Sequence, residues 1–301
     1  DLKGNLTHNG DTLDLRAGTS GTTLSVINLT LSGTSNSALT VNTAYSSTNG
    51  DFNYITINKT GGAKVILGSK IICSGGSSTG LPACNSGVTF TSGIVETGSY
   101  YLAYQGSTAA QVVGYSSTSY VNGSFARGMS NSAGAAKEFP VGDANGYRLV
   151  YVRSTTGGTA TGHLVIVKCV PGNANTGSIL NGGIDKVSEV RYYVVTYDNT
   201  IGGAASMSFD LFKLSYATDD YVGVSNTDLR VAYSTDSRVN WNGIAQTTPH
   251  TTTITDPPTQ ITPDALTSPV TLTAGSTNTM FLTLARATGT ITNPLPIQLA
   301  S

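Results

Sequence analysis

The sequence predicts an all-β protein, with a short β-solenoid-like N-terminal part followed by an Ig-like or jelly-roll-like β-sandwich. Three observations predict it. No window carries apolar residues at i, i+3, i+4 and i+7 between caps, the mark of an amphipathic helix. β-branched and aromatic runs alternate instead with clusters of Gly, Asn, Ser and Asp, the punctuation of strands and turns. Only 11% of the 301 residues are charged, while Ser and Thr make up about a quarter of them. An ordinary globular chain carries ~25% charge, so hydroxyl groups have to cover the strand faces here.

The first region, residues 1–125, is built from short units: DTLDLRAG, TTLSVINLTLSG, SALTVNTA, NYITINKTGGAKVILG and GVTFTSGIVETGSYYLAYQG. Each has two or three apolar residues at period 2 and then a polar turn. Leu6, Leu13, Leu15, Leu24, Val26, Leu29, Leu31, Leu39 and Val41 would fill one interior. Units return after about 15–25 residues, the range of solenoid rungs. Strands this short suit stacked rungs better than a sandwich. Tyr100, Tyr101, Tyr104, Tyr115 and Tyr120 cluster near the end of this region, where they are expected to cover the last rung and the seam beyond it.

From residue 126 to 301 the strand runs lengthen: GYRLVYVRST, GHLVIVKCV, EVRYYVVTYDN, SMSFDLFKLSYA, DLRVAYSTD, SPVTLTAG and NTMFLTLAR. About seven such runs separated by turns predict a sandwich. In 205–217, Met207, Phe209, Leu211, Lys213 and Tyr216 mark one face. Asp143-Ala144-Asn145-Gly146 is a turn signal, Trp241 falls on the return strand of a hairpin, and Cys169 points into a core as a small hydrophobe. The Thr- and Pro-rich stretch 246–268 reads as an extended loop or an edge excursion.

A net charge of -1 argues against a nucleic-acid partner, which needs clustered Lys and Arg. No run of apolar residues is long enough for a membrane-spanning helix. Three Cys and three His, without ligand spacing, imply no metal and no cofactor. Cys73 and Cys84 bracket the Gly/Ser-rich loop SGGSSTGLPA, which a disulfide would close. Such a bond stabilises by about 2–3 kcal/mol through the unfolded loop and fits an exported protein. The chain opens at Asp1 without Met or an apolar leader, as a mature or trimmed chain does.

Reactive constellations are sparse. Gly76-Ser77-Ser78-Thr79-Gly80 matches G-x-S-x-G but lacks the strand before and the helix after that a nucleophile elbow needs. His8, His163 and His250 are far apart. Asp11 with Asp14, and Asp219 with Asp220, are the paired carboxylates that a polysaccharide-active enzyme would use; turn roles fit both pairs better. Exposed Tyr100, Tyr101 and Tyr104 would stack on sugar rings in a glycan-binding protein.

The runs YVNGSFARGM (120–129), KEFPVGDANGYRLVYV (137–152), VSEVRYYVVTYDN (187–199), DLRVAYSTD with VNWNGI (228–244), and FLTLAR with NPLPIQLAS (281–301) follow one another in a familiar order. In this order the chain resembles the surface and secreted proteins of Bacteroidota exported by the type IX secretion system. NPLPIQLAS and FPVGD…GYR carry most of that resemblance. It implies export to the outer cell surface or beyond it, β-helical repeats ahead of a sandwich, and a C-terminal sorting domain, which this sequence does not contain. Asp11-Thr12-Leu13 is similar to the short motif that Bacteroidota glycosylate, which would place a glycan on Thr12.

These readings lead to an expected function: a non-enzymatic extracellular structural protein that polymerises with itself through exposed strand edges, as a filament subunit or an adhesin stalk. Leu2 and Leu6 would make the subunit contact, because the first rung starts there without a cap. A carbohydrate-binding adhesin that uses its Tyr residues on surface glycans is the alternative, and a polysaccharide-active β-helix enzyme is the second alternative.

Overall fold

A computed structural model describes residues 2–8, 16–17, 25–26, 28–41, 52–73, 87–106, 111–129, 135–156, 164–200, 204–220, 222, 226–248 and 259–289. The chain is all-β, and no α-helix occurs among the described residues. The first twelve strands are β1 (Leu6–His8), β2 (Arg16–Ala17), β3 (Ser25–Val26), β4 (Asn28–Gly33), β5 (Ser37–Val41), β6 (Tyr54–Lys59), β7 (Lys64–Leu67), β8 (Ile71–Cys73), β9 (Gly87–Ser92), β10 (Ile94–Tyr104), β11 (Val112–Val113) and β12 (Val121–Arg127). β2 and β3 form an antiparallel pair of their own.

The other strands of this region lie in two parallel ladders. One runs β11-β9-β6-β4. The other runs β1-β5-β7-β10-β12, with β8 beside the second half of β10. Each circuit of the chain adds one strand to each ladder, so like side chains stack in columns. Leu29, Ile55, Val88 and Val112 form one column, and Leu31, Ile57 and Phe90 the next. Across from them stand Leu6, Leu39 and Leu67, and then Val65, Val95 and Val121. Leu31, Leu39 and Val41 are buried as expected, while Leu6 and Leu29 are half-buried. Leu13, Leu15, Leu24 and the Val26 side chain lie outside the described residues.

The circuit is longer than the sequence suggested. The Leu29–Val112 column steps by 26, 33 and 24 residues, because each circuit holds two strands and two corners. Asparagines tie the corners: Asn5 Oδ1 accepts the Ala38 N–H at 2.8 Å, and one circuit later Asn36 Oδ1 accepts the Lys64 N–H at 2.9 Å. These bonds satisfy backbone donors without spending charge.

The later strands are β13 (Lys137–Phe139), β14 (Val141–Asp143), β15 (Gly146–Tyr147), β16 (Val150–Thr156), β17 (Leu164–Pro171), β18 (Ile179–Asn181), β19 (Ile184–Val187), β20 (Arg191–Asp198), β21 (Ser206–Tyr216), β22 (Leu229–Ser234), β23 (Asn240–Gly243), β24 (Thr259–Ile261), β25 (Val270–Thr273) and β26 (Thr279–Ala287). Pairing is now mostly antiparallel. The sheet that ends the parallel ladder continues as β12-β17-β20-β26-β22-β23-β18. A five-stranded sheet, β13-β16-β21-β24 with β25 also on β21, supplies a second apolar face. Phe139, Val152, Phe209, Phe212 and Leu214 from this sheet share one core with Val167, Tyr193, Val195, Leu282 and Leu284 from the other.

The boundary expected between residues 125 and 126 falls inside β12. That strand is a partner-switching element. Val121 and Asn122 pair with β14, whereas Ser124 to Arg127 pair antiparallel with β17. Gly123 sits at the switch with φ +128°, and a Cβ there would lie 2.1 Å from Thr97 Oγ1, so only glycine fits. Opposite Gly123, β10 bulges: the pairing jumps from Glu96↔Asn122 to Tyr101↔Ser124, leaving Thr97 to Tyr100 unmatched. Thr97 is buried, and its Oγ1 accepts the Ser124 N–H at 3.0 Å, replacing the missing ladder partner.

A second bulge corrects the face expected for 205–217. Leu211 pairs with Arg153 but Phe209 pairs with Ser154, so Asp210 is the extra residue and the alternation reverses there. Met207, Phe209, Phe212, Leu214 and Tyr216 are buried, and Leu211 and Lys213 are only half-buried. Arg153 holds Asp210 through Nε and Nη2, each at 2.8 Å.

Phe125 bridges the two regions. Its ring meets Phe90 edge-on at 6.3 Å between centroids and Phe139 at 6.4 Å, and all three are buried. Phe125→Ala is expected to cost about 3–5 kcal/mol. Because one core spans both regions, urea unfolding should keep a single transition when followed by circular dichroism and by Trp241 fluorescence. Separate transitions for the two probes would show that the regions unfold independently.

Candidate functional site

The largest convergence of charge among the described residues lies where β14, β15, β20 and the end of β21 meet. Arg191 opens β20, whose residues alternate buried and half-buried, and the phase of that alternation sends Arg191, Tyr193, Val195 and Tyr197 inward. A guanidinium in such a position has to be paired. The partners arrive from turns. Asp143 ends β14 and its Oδ1 accepts the Asn145 N–H at 2.8 Å, so the Asp143–Gly146 turn forms as predicted. Asp219 and Asp220 sit in the 3-10 turn Thr218–Asp220. Asp220 Oδ2 accepts the Ala217 N–H at 2.8 Å.

Arg191 donates through Nη2 to Asp219 Oδ2. Its Nε lies 3.3 Å from Asp220 Oδ1 and 3.7 Å from Asp143 Oδ2. Arg148 Nη2 donates to both Asp219 oxygens at 2.9 Å. The Cys169 thiol lies 3.9 Å from Asp143 Oδ2. The Arg191, Asp143 and Asp220 side chains are buried, and Asp219 is 39% exposed. Two guanidiniums therefore face three carboxylates.

That imbalance sets the titration behaviour. Burial raises the Asp220 carboxyl from 3.8 to about 6, against the opposing pull of Arg191. Burial alone would make Arg191 lose its proton more readily, but the Asp220 and Asp219 carboxylates outweigh it and hold the guanidinium charged. Burial, and then the Asp143 carboxylate, push the Cys169 thiol well above its ordinary value. A thiol in this state is not a nucleophile. Chemically, the cluster clamps turns to a strand; each carboxylate already faces a guanidinium.

A second buried pair involves β12, toward the other end of the β17–β20 ladder from Arg191. Arg127 Nη1 lies 2.7 Å from Glu138 Oε1, and its guanidinium carbon is 5.7 Å from the centre of the Tyr104 ring. Tyr104 is 2% exposed. This corrects the expectation that it offers its ring to a sugar. Tyr101 is half-buried against Ile72, Ala103, Ala126 and Leu164. Tyr100 is 41% exposed, on the β10 bulge. Tyr115 and Tyr120 pack on Tyr147, with centroids 6.2 and 5.8 Å away, beside the β12–β14 seam.

The other predicted positions are dispersed. Leu2 bridges Leu31, donating its N–H to the Thr30 carbonyl at 2.7 Å and accepting from the Ser32 N–H at 3.1 Å. Leu6 pairs with Leu39 on β5, and both Leu2 and Leu6 are half-buried against the core. Cys73 is buried at the end of β8. Cys84, Asp11, Thr12, Asp14, Gly76 to Gly80, His163 and His250 lie outside the described residues, as does the His8 side chain. Among the described residues, no group of three or more His, Cys, Asp or Glu is placed to hold a metal ion. The reading of Asp219-Asp220 as turn residues missed Arg148 and Arg191. The available signal was an arginine in the inward phase of RYYVVTYD, within a chain poor in charge. The chain matches no family model, no curated protein and no solved structure.

Two outcomes are expected from this geometry. Asp220 takes up a proton near pH 6 when folded but near 3.8 when unfolded. Protonation therefore favours the folded state: the contribution is complete below pH 4 and is lost as the pH rises through 6. Two pH units correspond to about 3 kcal/mol. Wild type should gain roughly that much over Asp220→Asn between pH 7 and pH 4 in urea titrations. Arg191→Met leaves buried carboxylates unpaired and should cost about 3–5 kcal/mol at pH 7. Its deficit should shrink at pH 5, where Asp220 is protonated.

Proposed function

We propose that this chain is a non-enzymatic extracellular structural protein, a self-assembling surface filament subunit or adhesin stalk whose copies join through exposed β edges. The observation that carries the reading is the inward turn of its main charged cluster: Asp143, Asp219 and Asp220 are all directed at Arg191, with Arg148 also on Asp219. Carboxylates engaged in this way anchor turns, and none of these three is left free to form an acid–base pair.

Self-association is supported by the first circuit. Among the described strands β1 pairs with β5 alone, and β4 pairs with β6 while its other side meets only the Leu2 bridge. Leu2, Leu6 and Leu29 are half-buried at that end of the core. An edge of this kind is a template for a further strand, and repetition of a head-to-tail contact makes a filament. In this reading the parallel ladders form a short solenoid stacked on a sandwich, and the type IX resemblance supports export to the cell surface.

Negative-stain microscopy and light scattering of the purified chain test the reading. Fibres or concentration-dependent oligomers are expected. Thr7→Pro, which removes an N–H from exposed β1, should reduce them without changing the circular dichroism spectrum. A chain that stays monomeric at every concentration would overturn the assembly. The adhesin alternative rests on Tyr100, and glycan binding lost in Tyr100→Ala would favour it.

A further inference from the structure

We infer that a groove between the two facing sheets, at the end where β25 approaches β22 and β26, binds a neutral saccharide. The groove has a volume of about 380 Å3, within the ~300–1,000 Å3 of small-molecule sites. The proposed function assigns it no role, and it is separate from the Tyr100 bulge.

Its chemistry follows from the alternation of β25. Val270 and Leu272 point inward and are buried, giving an apolar floor, while Thr271 between them is exposed. Tyr233 from β22, half-buried against the core, forms a wall. Ser268 and Thr277 add hydroxyls at the rim. The lip is ordered by the chain itself: the Thr273 N–H donates to the Thr277 carbonyl at 3.1 Å.

No lining residue is charged. An anion such as phosphate would find no cation there, and a metal ion no carboxylate. Hydroxyls both donate and accept, which suits a ligand that also carries both functions around its rim. The Tyr233 ring and the apolar floor suit a ligand with a C–H face. A neutral pyranose ring has both properties. A groove without a charge-assisted bond binds weakly, and this one is open at its rim, so affinity in the millimolar range is expected.

The test is a methyl NMR titration of the full chain with maltose, cellobiose and diacetylchitobiose, with sialyllactose as a charged comparison. Saturable shifts are expected at Val270 and Leu272 with at least one neutral disaccharide, and none at Leu39 or Val65 in the parallel region. Tyr233→Ala should weaken binding by about two- to tenfold, on the scale of a lost aromatic contact. Because Tyr233 also packs on the core, Thr277→Arg at the exposed lip gives the same readout in a variant that keeps the floor intact. The inference fails if no neutral disaccharide gives saturable shifts, or if Leu39 shifts equally. It fails too if only sialyllactose binds, or if Thr277→Arg binds as wild type does.

Discussion

One strand has to satisfy two different hydrogen-bond geometries. On one edge β12 pairs parallel with β10 along its length, and on the other it pairs parallel with β14 at Val121 and Asn122 and then antiparallel with β17 from Ser124. Parallel bonds slant and antiparallel bonds run square to the strand, so the change requires a local break. Gly123 supplies it, with Thr97 Oγ1 capping the interrupted ladder. Once the break is made, Phe125 faces Phe90 of one region and Phe139 of the other. A single apolar core then extends from Leu31 to Leu284. Every later strand of the large sheet takes its position from this one.

The protein uses little charge and buries much of what it has. Arg127, Arg191, Glu138, Asp143 and Asp220 are buried, and Lys59 is 1% exposed. The Lys59 ammonium donates to the Ser32 and Ser35 carbonyls and to Ser37 Oγ, and burial lowers its proton affinity. Removing charges from water costs several kcal/mol per ion, so such groups contribute little net stability. Their effect is on specificity. Asp143, Asp219 and Arg148 lie on connecting turns, and meeting Arg191 fixes where those turns fold back. A surface of Ser, Thr and Asn gives few directional cues of its own, and the buried ions supply them.

Much of this was legible because period 2 is a strong signal. RYYVVTYD alternates as read, the Asp143–Gly146 turn closes a hairpin, Trp241 lies on the return strand of another, and Cys169 is in the core. The illegible parts share a cause: each depends on residues distant in sequence. A bulge at Asp210 reverses the face of β21, and its position is set by Arg153 on the neighbouring strand. Circuit length was misjudged because corners carry no apolar period; the column Leu29, Ile55, Val88 and Val112 is visible only once the strands are paired. Tyr104 resembles its neighbour Tyr100 in sequence, but Arg127 covers one and a bulge exposes the other. Of the clamp around Arg191, the turns could be read and the partners could not.

The excursion at Thr97–Tyr100 has a consequence for how this scaffold tolerates change. Pairing resumes at Tyr101 on the far side of a gap that a threonine hydroxyl has already sealed. The residues from Gly98 to Tyr100 are exposed, and the register of the strands does not depend on how many of them there are. A longer or different peptide inserted at this point leaves the pairing of β10 with β12 on either side unchanged.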